Sequence, residues 1–310
     1  MSDFVICTDS ACDIDPATLT EWGVKYCQLH FYFEGEEKEY LNYDMSAREF
    51  YANMRAGRYV RTSSVNQMDY EDLWEPILKE GNDILYIGFS SGLSVTFNTA
   101  KLAAESLLET YPERHIICLD SMSASAGMGL LVYKAVMKKR DGATLDECAA
   151  MVEGSKMNMN HWFSVDDLKY LRKGGRLGAS AAKVASTVGI KPVLNMDDNG
   201  KLAFKYVARG RKSAIKALVS EYAKRALKPG PDDTIFVCHS DCLADILLLQ
   251  DRFTEEYGVK FTYIADVGPV IGSHIGPGVF SIFFEGDGRV RKLELPHPIE
   301  KIKSVAKNSL

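Results

Sequence analysis

"ILYIGFSSGLSVTFNTAKLAAESLLETY", residues 84–111, contains the strand, turn and helix on which the predicted fold depends. The apolar run "ILYIGF" predicts a short strand, and apolar residues then recur at helical spacing after the turn "SSGLS". A strand that leads directly into a helix is the repeating unit of parallel α/β sheets. The stretch therefore predicts an α/β fold.

The same alternation extends in both directions from this unit. The runs "FVICT" and "HIICLD" predict further strands, and the stretches "AREFYANMRAG", "YEDLWEPILKEG" and "GMGLLVYKAVMKKRDG" predict helices. We therefore predict an N-terminal α/β domain over residues 1–157, with a parallel sheet covered by helices. Ligands of such sheets bind outside the carboxyl ends of the strands.

Residues 158–310 predict a second α/β domain with a mixed sheet. The turn "DDNG" between two apolar runs is typical of a hairpin. Strands are predicted at "TIFVCH" and "GVFSIFFEG", and helices at "SAAKVASTVG", "SAIKALVSEYAKRAL" and "LADILLLQDRFTEEYG".

The composition excludes several classes of protein. With 46% hydrophobic and 25% charged residues, the chain of 310 residues is typical of a soluble globular protein rather than a disordered one. No basic region precedes the first apolar residues, and no run approaches the ~20 apolar residues of a membrane span. We therefore expect a cytoplasmic protein.

The seven cysteines lack paired CxxC spacing and the six histidines lack an HExxH pattern, so no metal or cofactor is predicted.

Small hydroxyl residues follow each strand of the first half, in "TDSACD", "SSGLS" and "DSMSAS". Helix capping alone would explain them, but turns gathered at one sheet edge also form a polar rim.

The stretch "GFSSG", residues 88–92, matches the GxSxG nucleophile elbow of hydrolases. A serine esterase using Ser90, with His274 and either Asp241 or Asp266, is therefore an alternative function. Against it, the helix begins too late and no HGGG-like oxyanion loop is present.

"GPVIGSHIGPG", residues 268–278, places His274 among four glycines and two prolines. Such a segment predicts a tight loop whose backbone approaches a ligand closely, with the imidazole as its polar tip. Thr62 and Ser63, in "RTSSVN", lie just ahead of a predicted helix and are compatible with its N-terminal turn. As a functional pair they would add hydroxyl donors to the same rim as Ser94.

Basic residues are concentrated between Leu168 and Lys228, where fifteen Lys and Arg residues stand against three acidic residues. This predicts a docking or anion site, or simply a solvated surface; sparse aromatic residues argue against nucleic-acid binding. Within it, the Gly-Gly pair of "KGGRLG", residues 173–178, is compatible with an anion-binding nest.

Taken together, "TDSACDI", "RTSSVN", "SSGLSVTFNTA", "DSMSASAGMGLLV", "DDLKYLRKGGRLG", "IKPVL" and "GSHIGPG" resemble the DegV family of bacterial fatty-acid-binding proteins. The resemblance implies a Rossmann-like N-terminal domain, a C-terminal α/β domain, and a tunnel for a long-chain fatty acid beside their interface. It also implies a non-catalytic protein that presents the fatty acid to a separate ATP-dependent fatty acid kinase, which phosphorylates the carboxyl group.

The resemblance also implies roles for particular residues. The fatty-acid carboxylate would be bound by Thr62, Ser94 and His274. The surrounding rim would comprise Ser63, Ser91, Gly92, Gly272 and Ser273. The kinase or an anion would dock on Arg172, Arg176, Arg209 and Arg211, because arginine suits bidentate phosphate contacts.

The sequence departs from the family pattern at two places near this predicted site. Ser64 and Val65 stand where the family usually has Gln-Pro, and Val95 stands where it usually has glycine. The Lys-rich C-terminal stretch "LPHPIEKIKSVAKNSL" is expected to make at most transient contact with a membrane or partner.

Overall fold

The computed structural model of the protein describes residues 3–177 and 189–289. Residues 180–188 of the predicted helix "SAAKVASTVG" and the C-terminal stretch 295–310 lie outside these ranges.

Strands and helices alternate through both halves of the described chain, as predicted. The strands are β1 (Phe4–Asp9), β2 (Lys25–Cys27), β3 (His30–Phe33), β4 (Glu39–Leu41), β5 (Val60–Ser63), β6 (Asp83–Gly88), β7 (Ile116–Asp120), β8 (Met159–Ser164), β9 (Ile190–Met196), β10 (Leu202–Arg209), β11 (Phe236–His239), β12 (Tyr263–Asp266) and β13 (Phe280–Glu285). The helices are α1 (Pro16–Glu21), α2 (Ala47–Arg55), α3 (Gln67–Lys79), α4 (Thr96–Thr110), α5 (Ser125–Arg140), α6 (Leu145–Ser155), α7 (Lys169–Lys173), α8 (Arg211–Arg225), α9 (Leu243–Tyr257) and α10 (Pro269–Ile275).

The first half is built on a sheet of four strands in the order β2-β1-β6-β7, in which every pair is parallel. This confirms the predicted parallel sheet. The helix pairs α3 with α4 and α5 with α6 pack against it, and β6 is buried along its whole length. The strand order reverses between β1 and β6, which is where doubly wound sheets bind ligands.

A small antiparallel sheet in the order β4-β3-β5 was not predicted. Thr62 and Ser63 lie in β5, where Thr62 pairs with Phe31, rather than in the N-terminal turn of a helix. The following helix α3 begins only at Gln67, because Asn66 forms a capping box with Asp69. The sheet therefore fixes the backbone of Thr62 more firmly than a helix turn would.

The second half is built on a mixed sheet of six strands in the order β10-β9-β8-β13-β11-β12. The hairpin predicted at "DDNG" is confirmed, since β9 and β10 pair in antiparallel register on either side of it. Strand alternation gives this sheet two different faces. One face contributes Trp162, Val237 and Ile282 to a core that includes residues of α8 and α9. The other contributes Phe163 and Phe283 to the core shared with the first half.

Because that core is continuous, the two halves pack directly against each other. β8 begins at Met159, close to the predicted domain boundary between residues 157 and 158. The division into two domains at that point stays a prediction.

Candidate functional site

A cavity of about 580 Å³ lies between the two halves of the chain. Its apolar walls include Leu29 and Phe89 from the first half and Phe163, Met196, Val270 and Phe283 from the second. A mostly apolar cavity with a few polar groups is the usual form of a small-molecule binding site.

The two larger sheets and one helix form most of the wall of this cavity, and the end of β5 adds Thr62 and Ser63. Phe89 and Ser91 follow β6 at the point where the strand order of the parallel sheet reverses. Phe163 and Phe283 belong to the cavity-facing side of the mixed sheet. The third wall is α10, which contributes Ile271 and Ile275 among others.

The segment "GPVIGSHIGPG" was predicted as a loop, but the structure contains the helix α10 over Pro269–Ile275. Proline is well tolerated at the first position of a helix. The N-terminal end of α10 is anchored by the other half of the chain: Gly268 N donates to Asp13 Oδ1 at 2.9 Å, and Val270 N donates to Asn42 Oδ1 at 3.0 Å. Tyr51 Oη also donates to the Val267 carbonyl at 2.8 Å. These bonds place His274, in the last turn, at the junction of the two halves.

Thr62 and His274 meet directly at the edge of the cavity. Thr62 Oγ1 lies 2.9 Å from His274 Nε2, although the two residues are 212 positions apart in the chain. Burial, reinforced by the nearby Arg176 guanidinium, lowers the pKa of His274 to about 4. The imidazole is therefore neutral near pH 7.

The other ring nitrogen of His274 indicates which tautomer is present. His274 Nδ1 is buried and has no hydrogen-bond partner among the described residues. A Cβ on Gly174 would lie only 2.4 Å from it, so the ring is packed against bare backbone. Because an orphaned N–H is rarer in protein interiors than an orphaned acceptor, this packing favours a hydrogen on Nε2. His274 then donates to Thr62, and the Thr62 hydroxyl keeps its own hydrogen for a ligand.

Ser94 lines the same cavity but makes no hydrogen bond with Thr62 or His274 in the described parts of the chain. Its Oγ lies 2.8 Å from Thr96 Oγ1 and accepts a bond from Thr96 N at 3.2 Å, just where α4 begins. The structure therefore brings two of the three predicted head-group residues into contact, with the third facing the same space.

The predicted rim residues divide into two groups. Ser63, Ser91 and Gly92 line the cavity. Gly272 and Ser273 lie elsewhere on α10: a Cβ on Gly272 would lie 2.4 Å from Tyr51 Oη, and Ser273 Oγ donates to the Val270 carbonyl at 2.8 Å. Ser273 instead lines a second cavity of about 360 Å³, which shares Thr62, Arg176 and His274 with the first.

Both departures from the family pattern border the cavity. Ser64 and Val95 line it, whereas Val65 is buried beside Ser64. Val95 remains exposed at the start of α4, where it makes the cavity mouth more apolar than glycine would.

The residues of the alternative esterase triad do not come together. Ser90 is fully buried, and its Oγ donates to the Gly200 carbonyl at 2.8 Å. Asp241 pairs with Arg55, and Asp266 lies 3.4 Å from the ring of His239. A nucleophile needs its base within hydrogen-bond reach, so this geometry argues against Ser90 as a nucleophile.

The four predicted docking arginines also occupy different settings. Arg172, Arg176 and Arg209 are exposed, and Arg176 lines both cavities while its Nε donates to the Leu93 carbonyl at 3.3 Å. Arg211 departs from the prediction, because its guanidinium is engaged by Asp166 at 2.6 Å and Asp245 at 2.8 Å. These ion pairs leave Arg211 little capacity for an external anion.

The predicted anion nest at "KGG" is also corrected. Gly174 and Gly175 form the C-terminal cap of α7, and their N–H groups donate to the carbonyls of Tyr170 and Arg172 at 2.8 and 3.1 Å. Because those hydrogens already have helix acceptors, they do not form an open nest.

Sequence reasoning missed several residues that position the site. Asp13 and Asn42 hold α10, and Gly174 gives the His274 ring its space; the Gly-Gly pair was noticed, but for a different reason. Arg289, at the edge of the described range, donates to the carbonyls of Met122 and Asp197. It thereby ties the β9–β10 turn to the loop after β7. No local pattern marked these contacts, because each joins elements distant in sequence.

Within residues 3–177 and 189–289, no helix is both long and apolar enough to cross a membrane. Over the same residues, no cluster of three or more His, Cys, Asp or Glu side chains could hold a metal ion.

Comparisons with known proteins agree with this architecture. A family model described as "Uncharacterised protein, DegV family" matches residues 3–287. A DegV domain-containing protein of Clostridium perfringens is 39% identical over 288 residues, which cover 93% of this chain and 99% of that protein. A solved structure on fatty acid binding of a DegV family protein from Thermus thermophilus has a TM-score of 0.81 at 25% identity, with 92% of this chain and 99% of that chain covered.

A stearic acid-binding protein from Eubacterium ventriosum has a TM-score of 0.81 at 23% identity, with 91% of this chain and 98% of that chain covered. The fold is thus shared over nearly the whole length. From its sequence match and its fold, the chain belongs to the DegV family.

Proposed function

We propose that this protein binds a long-chain fatty acid in the larger cavity and presents the carboxyl group to a partner kinase. The observation that carries the proposal is the Thr62–His274 hydrogen bond at the edge of a largely apolar cavity. An apolar chamber with hydroxyl and imidazole groups at one place matches a ligand with one anionic end and a long apolar tail. Solved DegV structures described as binding fatty acids support the same ligand class.

The carboxylate would be bound by Thr62, Ser94 and His274. With the hydrogen of His274 on Nε2, the imidazole donates to Thr62 and the Thr62 hydroxyl donates to a carboxylate oxygen. Such chains of donors strengthen one another in a low-dielectric site. Ser94 and the N-terminal end of α4 would face the second oxygen, and the Arg176 charge favours an anion at the same place.

Burial of the acyl tail would supply most of the affinity. Each methylene taken from water contributes about 0.8 kcal/mol, so a tail of many methylenes stabilises the complex even if the head group only balances its own desolvation. The head-group residues would then fix the orientation of the lipid.

The kinase step follows from what the DegV resemblance implies. A separate ATP-dependent kinase subunit would phosphorylate the bound carboxyl group to an acyl phosphate, in the cytoplasm. Arg172, Arg176 and Arg209 would form its docking surface, without Arg211. The chain itself would then be a non-catalytic subunit.

Lipid extraction from freshly purified protein, followed by mass spectrometry, tests the ligand. We expect long-chain fatty acid at near-stoichiometric amount.

Thr62→Val keeps the side-chain shape and removes the hydroxyl, so we expect stearate affinity to fall about tenfold or more, as for loss of a hydrogen bond to a charged group. Thr99→Val is the matched control, because Thr99 is half-buried on α4 and lines neither cavity. Lipid-free protein that binds no stearate would overturn the proposal.

The kinase step has its own test. Arg209→Glu should retain stearate binding but lose most acyl-phosphate formation with the partner kinase and ATP, because the exposed arginine would no longer attract an acidic surface. Lys260→Glu, an exposed change outside the basic region, should leave turnover unchanged. Equal turnover in both variants would remove Arg209 from the docking surface.

A further inference from the structure

Three small polar side chains interrupt the apolar wall of the larger cavity. Ser125, Cys238 and Ser281 all line it, and all are buried. Cys238 and Ser281 face each other in the register of β11 and β13. The Cys238 Sγ atom lies 3.2 Å from Ser125 Oγ and 3.5 Å from Ser281 Oγ, so the three groups form one continuous band. We call it the serine-cysteine band.

The hydrogen bonds of this band leave one donor unused. Ser125 Oγ donates to Asp13 Oδ2, which commits its hydrogen. The Cys238 thiol donates to Ser281 Oγ. Burial raises the pKa of this thiol to about 12, so it keeps its hydrogen near pH 7. The hydroxyl hydrogen of Ser281 has no acceptor among the described residues. A buried hydroxyl without an acceptor is unfavourable, and a ligand oxygen would remove that cost.

Helix α10 connects the two places, because its N-terminal end is joined to this band and its last turn carries His274. Gly268, at the N-terminal end of α10, donates to Asp13, and Asp13 accepts from Ser125. His274 lies six residues further along the same helix, which corresponds to about 9 Å at the usual helical rise. Because α10 contributes Val270, Ile271 and Ile275 to the cavity wall, a bound chain would run along it.

This distance corresponds to the middle of a long acyl chain. Carbon–carbon bonds of about 1.5 Å at tetrahedral angles advance an extended chain by about 1.25 Å per bond. A helical rise on the order of 9 Å corresponds to roughly seven bonds, and the Asp13 and Ser125 side chains that join α10 to the band add a few more, which still falls short of the end of a stearate-length chain.

We propose that the serine-cysteine band recognises a hydroxyl group near the middle of the acyl chain, which makes mid-chain hydroxy fatty acids the preferred ligands. The proposal rests on the proposed function of the cavity. The ligand oxygen accepts the free hydrogen of Ser281, and its own hydrogen has the Cys238 sulfur as a weak acceptor. A plain methylene at the same place leaves the Ser281 hydrogen without an acceptor.

Dissociation constants of lipid-free protein for three ligands test this: stearate, stearate hydroxylated at the middle of its chain, and stearate hydroxylated at its terminal carbon. We expect the mid-chain hydroxyl to improve binding about three- to tenfold over stearate, as for one neutral hydrogen bond, and the terminal hydroxyl to give no such gain. Ser281→Ala should abolish the preference while leaving stearate affinity within about twofold. Ser164→Ala, on the opposite face of the same sheet, is the matched control, because its hydroxyl donates to the Pro192 carbonyl.

The outcomes separate the two proposals. If stearate binds but the mid-chain hydroxyl gives no advantage, the serine-cysteine band is not a recognition site and the proposed function stands. If none of the three ligands binds, both proposals fail. If Ser281→Ala does not fold, the affinities of the unmodified protein for the three ligands still test the proposed recognition of a mid-chain hydroxyl.

Discussion

His274 and His161 both line the larger cavity, yet they differ in the hydrogen-bond capacity left to them. His161 Nδ1 lies 3.0 Å from the Met159 carbonyl, and its Nε2 contacts Ser123 Oγ, so both ring nitrogens have partners. His274 has Thr62 on one nitrogen, and its other nitrogen has no partner among the described residues. Burial is the main cause that lowers the pKa of each ring.

The comparison shows that burial and neutrality alone do not distinguish a ligand-binding histidine from a wall residue. The two histidines differ instead in the hydrogen-bond partners that surround each ring. His161 lies on β8 inside the cavity wall, with partners on its own strand and on the loop after β7. His274 lies on a short helix at the junction and pairs with a hydroxyl that retains a hydrogen. Substitutions at the two histidines and beside them therefore separate a wall residue from a ligand-binding residue.

Replacing the two histidines should have opposite consequences. His161→Ala removes a buried ring and leaves the Ser123 hydroxyl without its partner, whereas the Met159 carbonyl keeps its bond from Arg289, so we expect the free energy of unfolding to fall by about 3 kcal/mol. His274→Ala should fold nearly normally but lower acyl-phosphate formation with the partner kinase. Denaturant unfolding and the kinase assay measure the two effects. An equally destabilised His274→Ala protein would give both histidines the same structural role.

Acid should destabilise the lipid-free protein partly through His274. Its folded pKa of about 4 lies below the usual 6.5, so the unfolded chain binds more protons between these values. Stability from this group is therefore present above pH 6.5 and is lost as the pH falls towards 4. Between pH 7 and pH 5, the unmodified protein should lose about 2 kcal/mol more than His274→Ala.

Unfolding curves at the two pH values, measured on both proteins, test this. Parallel losses in the two proteins would mean that the ring of His274 is solvated in the folded state. His161 shifts in the same direction, so His161→Gln should reduce the acid loss as well.

Crowding the ring of His274 should disturb binding more than folding. A Cβ on Gly174 would lie 2.4 Å from His274 Nδ1, whereas a Cβ on Gly175 would meet nothing within 4 Å. Gly174→Ala should therefore shift the imidazole and weaken stearate binding about tenfold. Gly175→Ala is the matched control: its φ of +67° strains a side chain, which lowers stability by about 1 kcal/mol without changing affinity. Equal affinity in the two variants would contradict the proposed role of Gly174.

Ser90→Ala should have the smallest effect. It removes the 2.8 Å bond from Ser90 Oγ to the Gly200 carbonyl, so we expect a loss of about 1 kcal/mol in the free energy of unfolding. Stearate binding should change little, because Ser94 and Thr62 remain in place. Ester hydrolysis that depends on Ser90 would revive the alternative function that the geometry disfavours.

Much of the architecture could be predicted because its signals are local. The run "ILYIGF" and the helical spacing after it predicted β6 and α4, and "DDNG" predicted the hairpin of β9 and β10. Other features have no local signal. α10 was mistaken for a loop, since its glycines and prolines suggest one unless Asp13 and Asn42 are known to anchor its N-terminal end. The sheet that holds Thr62 was missed because its strands are only three or four residues long.

The amino-acid sequence is enough to predict the α/β class, the parallel and mixed sheets, the family resemblance and the residue types available for a carboxylate site. These follow from side-chain periodicity and turn chemistry, which act over a few residues. Tertiary packing was needed to bring Thr62 to His274 across 212 positions, to engage Ser90 and Arg211 internally, and to place Ser281 at the cavity with a hydroxyl hydrogen that no described residue accepts. Which polar groups meet across a junction depends on how whole elements pack, and on which hydrogen bonds that packing has already satisfied.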